Sequence, residues 1–229
     1  DQALSVMRRW DVDRALVYHT VSRDSDPQQG NGVVAGLSDP ALLQVWAFDP
    51  AYVIPESPEH FLRRALAGGA RAVLLNPLMR RIDLRRSPRV GQLARLLEQR
   101  RIPLLLAYWK TDPEEDLVDW YPLTDFCLDH PDLPVLVWEW RTRSNRPLFD
   151  ALAGAGNLKV AVSALWQAQS VDQICETFGA QRLVFSLGLP HLDPGSFQAG
   201  VRYAGIGDEA KLRIAGGNLE QLIAEASYG

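Results

Sequence analysis

The chain has 229 residues, of which 47% are hydrophobic and 23% charged, and its formal net charge is -4. This composition predicts a globular protein with a sizeable core, and the mixed charges argue against a nucleic-acid or anionic-membrane surface. No apolar run approaches the ~18 residues of a membrane span. The two cysteines, Cys127 and Cys175, are too few for a disulfide framework and are expected to be buried free thiols. We therefore expect a cytoplasmic location and a small-molecule ligand, with a homo-oligomer left open.

Short apolar runs alternate with helical patterns along the chain. The strand-like runs lie near residues 15, 43, 72, 103, 134, 159 and 183. Between the first two, the polar segment 20–32 has the composition of a loop. Further along, Val90, Leu93, Ala94 and Leu97 form the apolar stripe of an amphipathic helix. The alternation predicts an α/β protein with a parallel sheet and helices outside it.

The regular length of these units favours a TIM-like (β/α)8 barrel, formed as a single domain over residues 1–229. Seven strand candidates are one fewer than a closed barrel needs. Because the chain begins with a helical pattern, the first strand would be missing from this sequence or hidden before it. An open doubly wound sheet is the alternative, but no strand is followed by a G-x-G-x-x-G or P-loop motif.

Several segments resemble the amidohydrolase superfamily, in particular its amidohydrolase-related (amidohydrolase 2) branch. "VWAFDP" and "GGARAVLLNP" resemble two of the family's strands. The stronger matches are "RLVFSLGLPH", at residues 182–191, and "LRIAGGNLEQLI", at residues 212–223. The resemblance implies a TIM barrel and the activity of metal-dependent hydrolases and decarboxylases.

The resemblance also implies a metal site, commonly for zinc, at the carboxyl ends of the strands. Its ligands are a His-x-His pair on the first strand, two further histidines and an aspartate. In this sequence one histidine position falls on Ala107, or on Tyr108 if the register slips by one. The other falls on Glu139, and the aspartate position falls on Gly188. We therefore expect no cofactor, unless these ligand positions are wrongly assigned.

Polar and aromatic residues at the carboxyl ends of the strands are the site candidates under the barrel interpretation. They are His19, Asp49, Asn76, Tyr108, Trp109, Lys110, Glu139, Trp140, Arg141, Ser163, Trp166 and His191. Among them we predict catalytic roles for Glu139, His191 and Lys110. The predicted substrate-binding residues are Tyr108, Trp140, Arg141 and Trp166. Each has a simpler interpretation as an ion pair, a loop contact or core packing.

Three functional hypotheses follow from these residues. The first is a hydrolase or lyase that acts on a small carbonyl or carboxylate compound without the usual metal centre. The second is a catalytically inactive barrel, a pseudoenzyme that serves binding or assembly. The third is a metal-dependent hydrolase whose missing ligands come from an absent N-terminal strand. Gly188 weighs against the third, because no register shift places an acid at that strand end.

Overall fold

The fold is built on one parallel sheet whose strands follow each other in chain order. The computed structural model describes residues 2–52, 56–108, 118–138, 146–165, 167, 169–189 and 191–229. The strands are β1 (Ala15–Val17), β2 (Leu42–Ala47), β3 (Ala72–Leu75), β4 (Leu104–Ala107), β5 (Val135–Trp138), β6 (Leu158–Ala161) and β7 (Leu183–Val184). Each strand pairs in parallel with the next, and across these ranges the ladder runs from β1 to β7 without closing. The predicted alternation is confirmed.

Helices connect the strands and cover the outer face of the sheet. They are α1 (Gln2–Arg9), α2 (Thr20–Asp24), α3 (Pro27–Ala35), α4 (Pro58–Ala67), α5 (Pro88–Gln99), α6 (Trp120–Asp129), α7 (Arg146–Gly154), α8 (Ser170–Phe178), α9 (Pro194–Arg202), α10 (Asp208–Leu212) and α11 (Asn218–Glu225). The stripe predicted on α5 is buried at all four positions. Within the described ranges, no helix has the length and apolar character needed to cross a membrane.

Alternate strand residues divide the core into two apolar clusters. The first lies between the sheet and the helices and includes Leu104 and Leu106 of β4. The second lies on the inner face of the sheet and includes Leu105 and Ala107 of the same strand. Successive strand side chains point to opposite faces, which explains the division. The buried members of the inner cluster all come from strands, as in a barrel interior, whereas helices cover both faces of an open doubly wound sheet.

An aromatic contact across the inner face shows how strongly the sheet curls. Tyr18, which follows β1, and Trp138, at the end of β5, have ring centroids 5.2 Å apart. Three strands separate β1 from β5 in the sheet. Because these rings meet across the interior, the seven strands form a curled, TIM-like half-barrel, and the predicted fold class is confirmed.

The segment 20–32 was predicted to be a loop, and this prediction is wrong. The His19 side chain accepts a hydrogen bond from the Val21 amide at 3.2 Å and caps α2. Asp26 accepts one from the Gln29 amide at 2.9 Å and caps α3, in which Pro27 occupies the first turn. Local caps thus convert a polar, glycine-containing segment into two helices.

Close packing fixes these two helices against each other and against β2. A methyl group at Gly30 would collide with the backbone of Ser22, so only glycine allows the two helices to approach this closely. Asn31 exchanges two hydrogen bonds of 2.8 Å with the backbone of Ala47. Arg23, on α2, is held in this way beside the carboxyl end of β1.

Buried polar side chains at the amino-terminal end of the barrel bind backbone carbonyls. Arg182 donates to Leu152 O, Ala155 O and Gly156 O, the groups that end α7. These bonds satisfy carbonyls that a helix end leaves without partners. Burial lowers the pKa of Arg182, which nevertheless stays charged at neutral pH.

Two asparagines act in the same way at neighbouring positions. Asn157 donates to Cys127 O at 3.3 Å and to His130 O and Leu133 O, each at 2.8 Å. Asn218 donates to Ala180 O and Leu183 O, both at 2.7 Å, and so ties the start of α11 to the start of β7. All three side chains serve the fold.

The two cysteines have the predicted form. Cys127 is buried and Cys175 is half-buried, and neither is in a disulfide. Burial raises the pKa of Cys127 to about 12 and that of Cys175 to about 11. Both therefore remain thiols at neutral pH, and neither resembles an activated thiolate.

Candidate functional site

The candidate site is the barrel mouth, which we define as the side chains at the carboxyl ends of the strands together with the loops above them. Its described members are Tyr18, Arg23, Asp49, Asn76, Arg80, Trp138, Ser163, Ser186 and His191. Tyr18 and Trp138 extend the inner apolar cluster to the top of the barrel. The polar members follow five of the seven strands, and one of them, Arg23, contacts Tyr18. In TIM barrels, this end carries the active site.

Arg23 is the most buried charged residue of the mouth, with 1% of its surface exposed. Its Nε lies 2.5 Å from Asp24 Oδ1, and its Nη2 lies 2.7 Å from Asp24 Oδ2. Its Nη1 donates to Tyr18 Oη at 3.1 Å. A buried charge is costly unless it is paired and hydrogen-bonded. The bidentate pair with Asp24 meets this requirement and fixes the guanidinium plane.

The same guanidinium contacts His191 from the loop after β7. Arg23 Nη2 and His191 Nε2 are 3.2 Å apart. A guanidinium only donates hydrogen bonds, so His191 Nε2 must accept and must be unprotonated. We infer that the proton of the neutral imidazole is on Nδ1. The contact therefore selects one tautomer of an exposed histidine.

A serine pair joins the mouth ends of β6 and β7. Ser186 Oγ donates to Ser163 Oγ, and the Ser163 amide donates to Ser186 Oγ at 3.3 Å. Ser163 is buried. These bonds connect adjacent strand ends where the regular ladder stops, so we assign the pair a structural role.

The ends of β2 and β3 contribute a second polar group to the mouth. Asp49 Oδ2 lies 3.5 Å from Arg80 Nη1, and the carboxylate is mostly buried. The Asn76 Oδ1 atom accepts a hydrogen bond from the Met79 amide at 3.1 Å. Within the described part of the chain, Asn76 Nδ2, Arg80 Nη2 and Trp138 Nε1 are buried and have no hydrogen-bond partner. An unmet buried donor costs about 1–3 kcal/mol, so three of them at one end require an explanation.

Of the seven predicted site residues, only His191 and Tyr108 lie within the described residues. The other five lie outside the described residues, and their roles remain predictions: Lys110, Glu139, Trp140, Arg141 and Trp166. His191 lies at the mouth, in contact with Arg23.

Tyr108 does not line the mouth. It belongs to the cluster between the sheet and the helices, because it continues the outward series of Leu104 and Leu106. Burial raises its pKa far above the ordinary value. The structure thus gives Tyr108 a packing role in place of the predicted contact with substrate.

The described residues do not fit the metal centre that the resemblance implies. Ala107, at one histidine position, offers no ligand atom, and its neighbour across the ladder is the bulky Trp138. Gly188, at the aspartate position, has φ +67°, and a Cβ there would lie 2.8 Å from Leu192 Cβ. An aspartate therefore cannot replace it without a shift of the loop. Among the described residues, no group of three or more His, Cys, Asp or Glu side chains could hold a metal ion.

The site candidates predicted from the sequence include neither Arg23 nor Trp138. Arg23 escaped notice because its segment was predicted to be a loop. The available signal was His19, a capping residue directly before the Thr20–Asp24 segment and after the apolar run of β1. The contact between Arg23 and His191 joins residues 168 positions apart, and no local pattern reports it.

Solved structures with the same fold include TIM-barrel enzymes. An uncharacterised TIM-barrel protein from Bordetella bronchiseptica is 18% identical, with a TM-score of 0.75 over 97% of this chain and 82% of that one. A putative amidohydrolase from Staphylococcus aureus is 15% identical, with a TM-score of 0.69 over 98% of this chain and 91% of that one. A dihydroxybenzoic acid decarboxylase from a Polaromonas species, with bound manganese and 2-nitroresorcinol, is 12% identical, with a TM-score of 0.69 over 98% and 85%.

These similarities confirm the resemblance at the level of fold. The chain has the architecture of amidohydrolase-related barrels along nearly its whole length. No family model matches the sequence, and no curated protein matches it either. With identities below 20%, the comparisons carry no residue role across to this chain.

Proposed function

We propose that the protein is a hydrolase or lyase that acts on a small carbonyl or carboxylate compound at the barrel mouth. We further propose that it works without the metal set of the family it resembles. The observation that carries this proposal is the buried guanidinium of Arg23 in contact with Tyr18 Oη and His191 Nε2. It supplies a fixed positive charge and an oriented imidazole at the end where barrel enzymes act.

His191 is the proposed proton-transfer group. Because Arg23 donates to its Nε2, the imidazole can take up a proton there only when Nε2 leaves Arg23, so we propose that this contact opens during the reaction. Arg23 acts through His191 and is a positioning residue. Tyr18 contributes its hydroxyl to Arg23 and its ring to the floor of the mouth.

Glu139 and Lys110 are proposed to complete the acid–base set. They follow β5 and β4 in the sequence, so the fold supports their position at the mouth but not their orientation. We propose that the substrate contacts Trp140, Arg141 and Trp166, because these residues also follow strands of the sheet in the sequence.

The structural neighbours support the reaction class. A decarboxylase and a putative amidohydrolase both use this architecture. Both reaction classes need charge stabilisation and proton transfer at a carbonyl or carboxylate carbon. His191, positioned by Arg23, is the proposed group for proton transfer.

A substrate screen with two matched variants tests the proposal. Ester, lactone, amide and aromatic carboxylate substrates are tested with metal-free protein. We expect His191→Ala to lower kcat/KM at least about 100-fold, the range of general acid–base catalysis. His60→Ala is the control, because the His60 side chain is 62% exposed on α4.

Two results would overturn the proposal. The first is activity that His191→Ala and Glu139→Gln both leave unchanged. The second is activity that appears only with a divalent metal, which favours the metal-dependent alternative. Ligand binding without turnover of any substrate favours the pseudoenzyme alternative.

A further inference from the structure

Two of the unpartnered donors at the mouth belong to neighbouring parts of the inner face. Asn76 directly follows β3 and is 3% exposed, and Trp138 ends β5. Their Nδ2 and Nε1 atoms are buried without an acceptor in the described residues. Elsewhere in the described chain, the indole N–H of Trp46 donates to Gln44 Oε1 at 3.1 Å. In the described part of the chain, the buried donors without a partner all belong to the mouth.

The orientation of the Asn76 amide is fixed by its neighbour. The Met79 amide donates to one side-chain atom of Asn76 at 3.1 Å, and this atom must be the carbonyl oxygen because an NH2 group cannot accept there. The other atom is therefore the nitrogen. Two N–H bonds of Asn76 thus lack an acceptor for a structural reason and not through a mistaken amide flip.

The two donors lie on either side of a small residue. Trp138 pairs with Ala107, and Leu75 pairs with Leu106, so Asn76 stands beside Ala107 on the other side. Neighbouring strands are ~4.8 Å apart, and Leu74, Ala107 and Trp138 all face the interior. The Ala107 methyl therefore lies between the two donor residues on the inner face.

A positive charge stands in the same turn. The Arg80 amide donates to Asn76 O at 3.2 Å, so both residues belong to the loop after β3. Arg80 Nη2 is also buried without a partner, and Asp49 lies at the longer distance of 3.5 Å from Nη1. The donors of Asn76 and Trp138, together with the Arg80 guanidinium, favour an anionic ligand group over a neutral carbonyl.

We propose that Asn76 Nδ2 and Trp138 Nε1 form a subsite above Ala107 that binds the carboxylate of a small monocarboxylate ligand. This inference rests on the proposed function, and it names the group that the substrate presents to the mouth. The two oxygens of a carboxylate accept one hydrogen bond each from the two donors, and Arg80 offsets the charge. The aromatic pair of Tyr18 and Trp138 lies beside this subsite and favours a ligand with an apolar or planar body.

An NMR titration of the full chain tests the subsite directly. Benzoate is the probe, benzyl alcohol is its neutral counterpart, and Trp138→Phe assigns the indole signal. We expect benzoate to move the Trp138 indole proton downfield in a saturable manner, and benzyl alcohol to leave it in place. The Trp46 indole signal is the internal control, because its N–H already has a partner.

Asn76→Asp is the matched variant. It keeps an oxygen for the Met79 amide and replaces the donor by a second oxygen that repels carboxylate. We expect calorimetry to show a benzoate affinity at least tenfold lower for Asn76→Asp. We expect a tenfold loss also for Trp138→Phe, which keeps an aromatic ring and removes the N–H. A Trp138 signal unmoved at saturating benzoate, or wild-type affinity in Asn76→Asp, would overturn the subsite.

The titration separates this inference from the proposed function. If benzoate binds at Trp138 but the protein turns over no substrate, the subsite is supported and the proposed reaction is overturned. If turnover depends on His191 but benzoate never moves the Trp138 signal, the proposed reaction is supported and the subsite is overturned.

Discussion

The two ends of the barrel treat their buried polar groups in opposite ways. At the amino-terminal end, Arg182 donates to three backbone carbonyls, and Asn157 and Asn218 likewise bind carbonyls of neighbouring segments. At the carboxyl end, three buried donors, on Asn76, Arg80 and Trp138, have no partner in the described residues. Among the described residues, the buried donors without a partner thus lie at the end where a ligand can meet them. One end serves stability and the other is available for function.

The contrast between the two ends also explains which residues take part in the family resemblance. Arg182 and Asn218 belong to "RLVF" and "AGGN", the strongest matches to the amidohydrolase-related family, and both bind backbone at the amino-terminal end. The resemblance therefore includes residues whose hydrogen bonds maintain the fold. Ala107 and Gly188, at the mouth, do not match the metal ligands that the resemblance implies.

The largest effect on stability is expected at the amino-terminal end. Arg182→Leu leaves three carbonyls at the end of α7 without their donor. Charge-assisted hydrogen bonds contribute about 1.5–3 kcal/mol each and are not additive, so the free energy of unfolding should fall by about 3–4 kcal/mol. Urea unfolding measures this change. Arg95→Leu, at an exposed position on α5, is the control, and an equal loss there would contradict the assignment.

Gly188→Ala should cost about 2–3 kcal/mol of unfolding free energy. Its φ of +67° disfavours any side chain, and a Cβ would lie 2.8 Å from Leu192 Cβ. Gly32→Ala is the matched control, because nothing lies within 4 Å of its Cβ position on α3. Alanine should stabilise that helix by up to about 1 kcal/mol. Unchanged stability of Gly188→Ala in thermal unfolding would show that this loop tolerates a side chain.

A pH effect of about 1–2 kcal/mol is expected from Lys159, on the inner face of β6. Burial lowers its pKa from 10.5 to about 8, with Arg182 acting in the same direction. Between these two values the unfolded chain binds more protons at Lys159 than the folded one, so the Lys159 contribution to stability should rise with pH from about 8 to 10.5. Below pH 8 this contribution should be constant. The raised pKa values of Cys127 and Cys175 lower stability above pH 9 in both the protein and Lys159→Met, so the difference between their unfolding free energies is measured. This difference should rise from pH 8 to 10.5, and parallel curves would contradict the shift.

The smallest effect on stability is expected at the mouth. Trp138→Phe removes a buried N–H that has no partner and keeps an aromatic ring against Tyr18. Removing an unmet donor offsets the loss of ring volume, so the unfolding free energy should change by less than about 1 kcal/mol. A loss near that of Arg182→Leu would show that the Trp138 N–H has a structural partner and would remove the contrast between the two ends.

The sequence predicted the strands well because parallel strands buried on both faces form continuous apolar runs, as at Leu104–Ala107 and Val135–Trp138. It failed over residues 20–32, where capping by His19 and Asp26 outweighs a polar composition. The site was predicted only in part. His191 stood in a recognisable motif, but its partner Arg23 is brought to it by the curl of the sheet, which no local pattern contains.

The central proposal is that the mouth works with Arg23, Tyr18, Trp138 and His191 in place of the metal set that the family resemblance implies. Elemental analysis of the full chain, purified without chelator and dialysed against metal-free buffer, tests this most directly. Because Ala107 and Gly188 cannot ligate, we predict less than about 0.1 equivalent of zinc, manganese or iron per chain. One tightly held ion per chain, retained through dialysis and required for turnover, would contradict the claim.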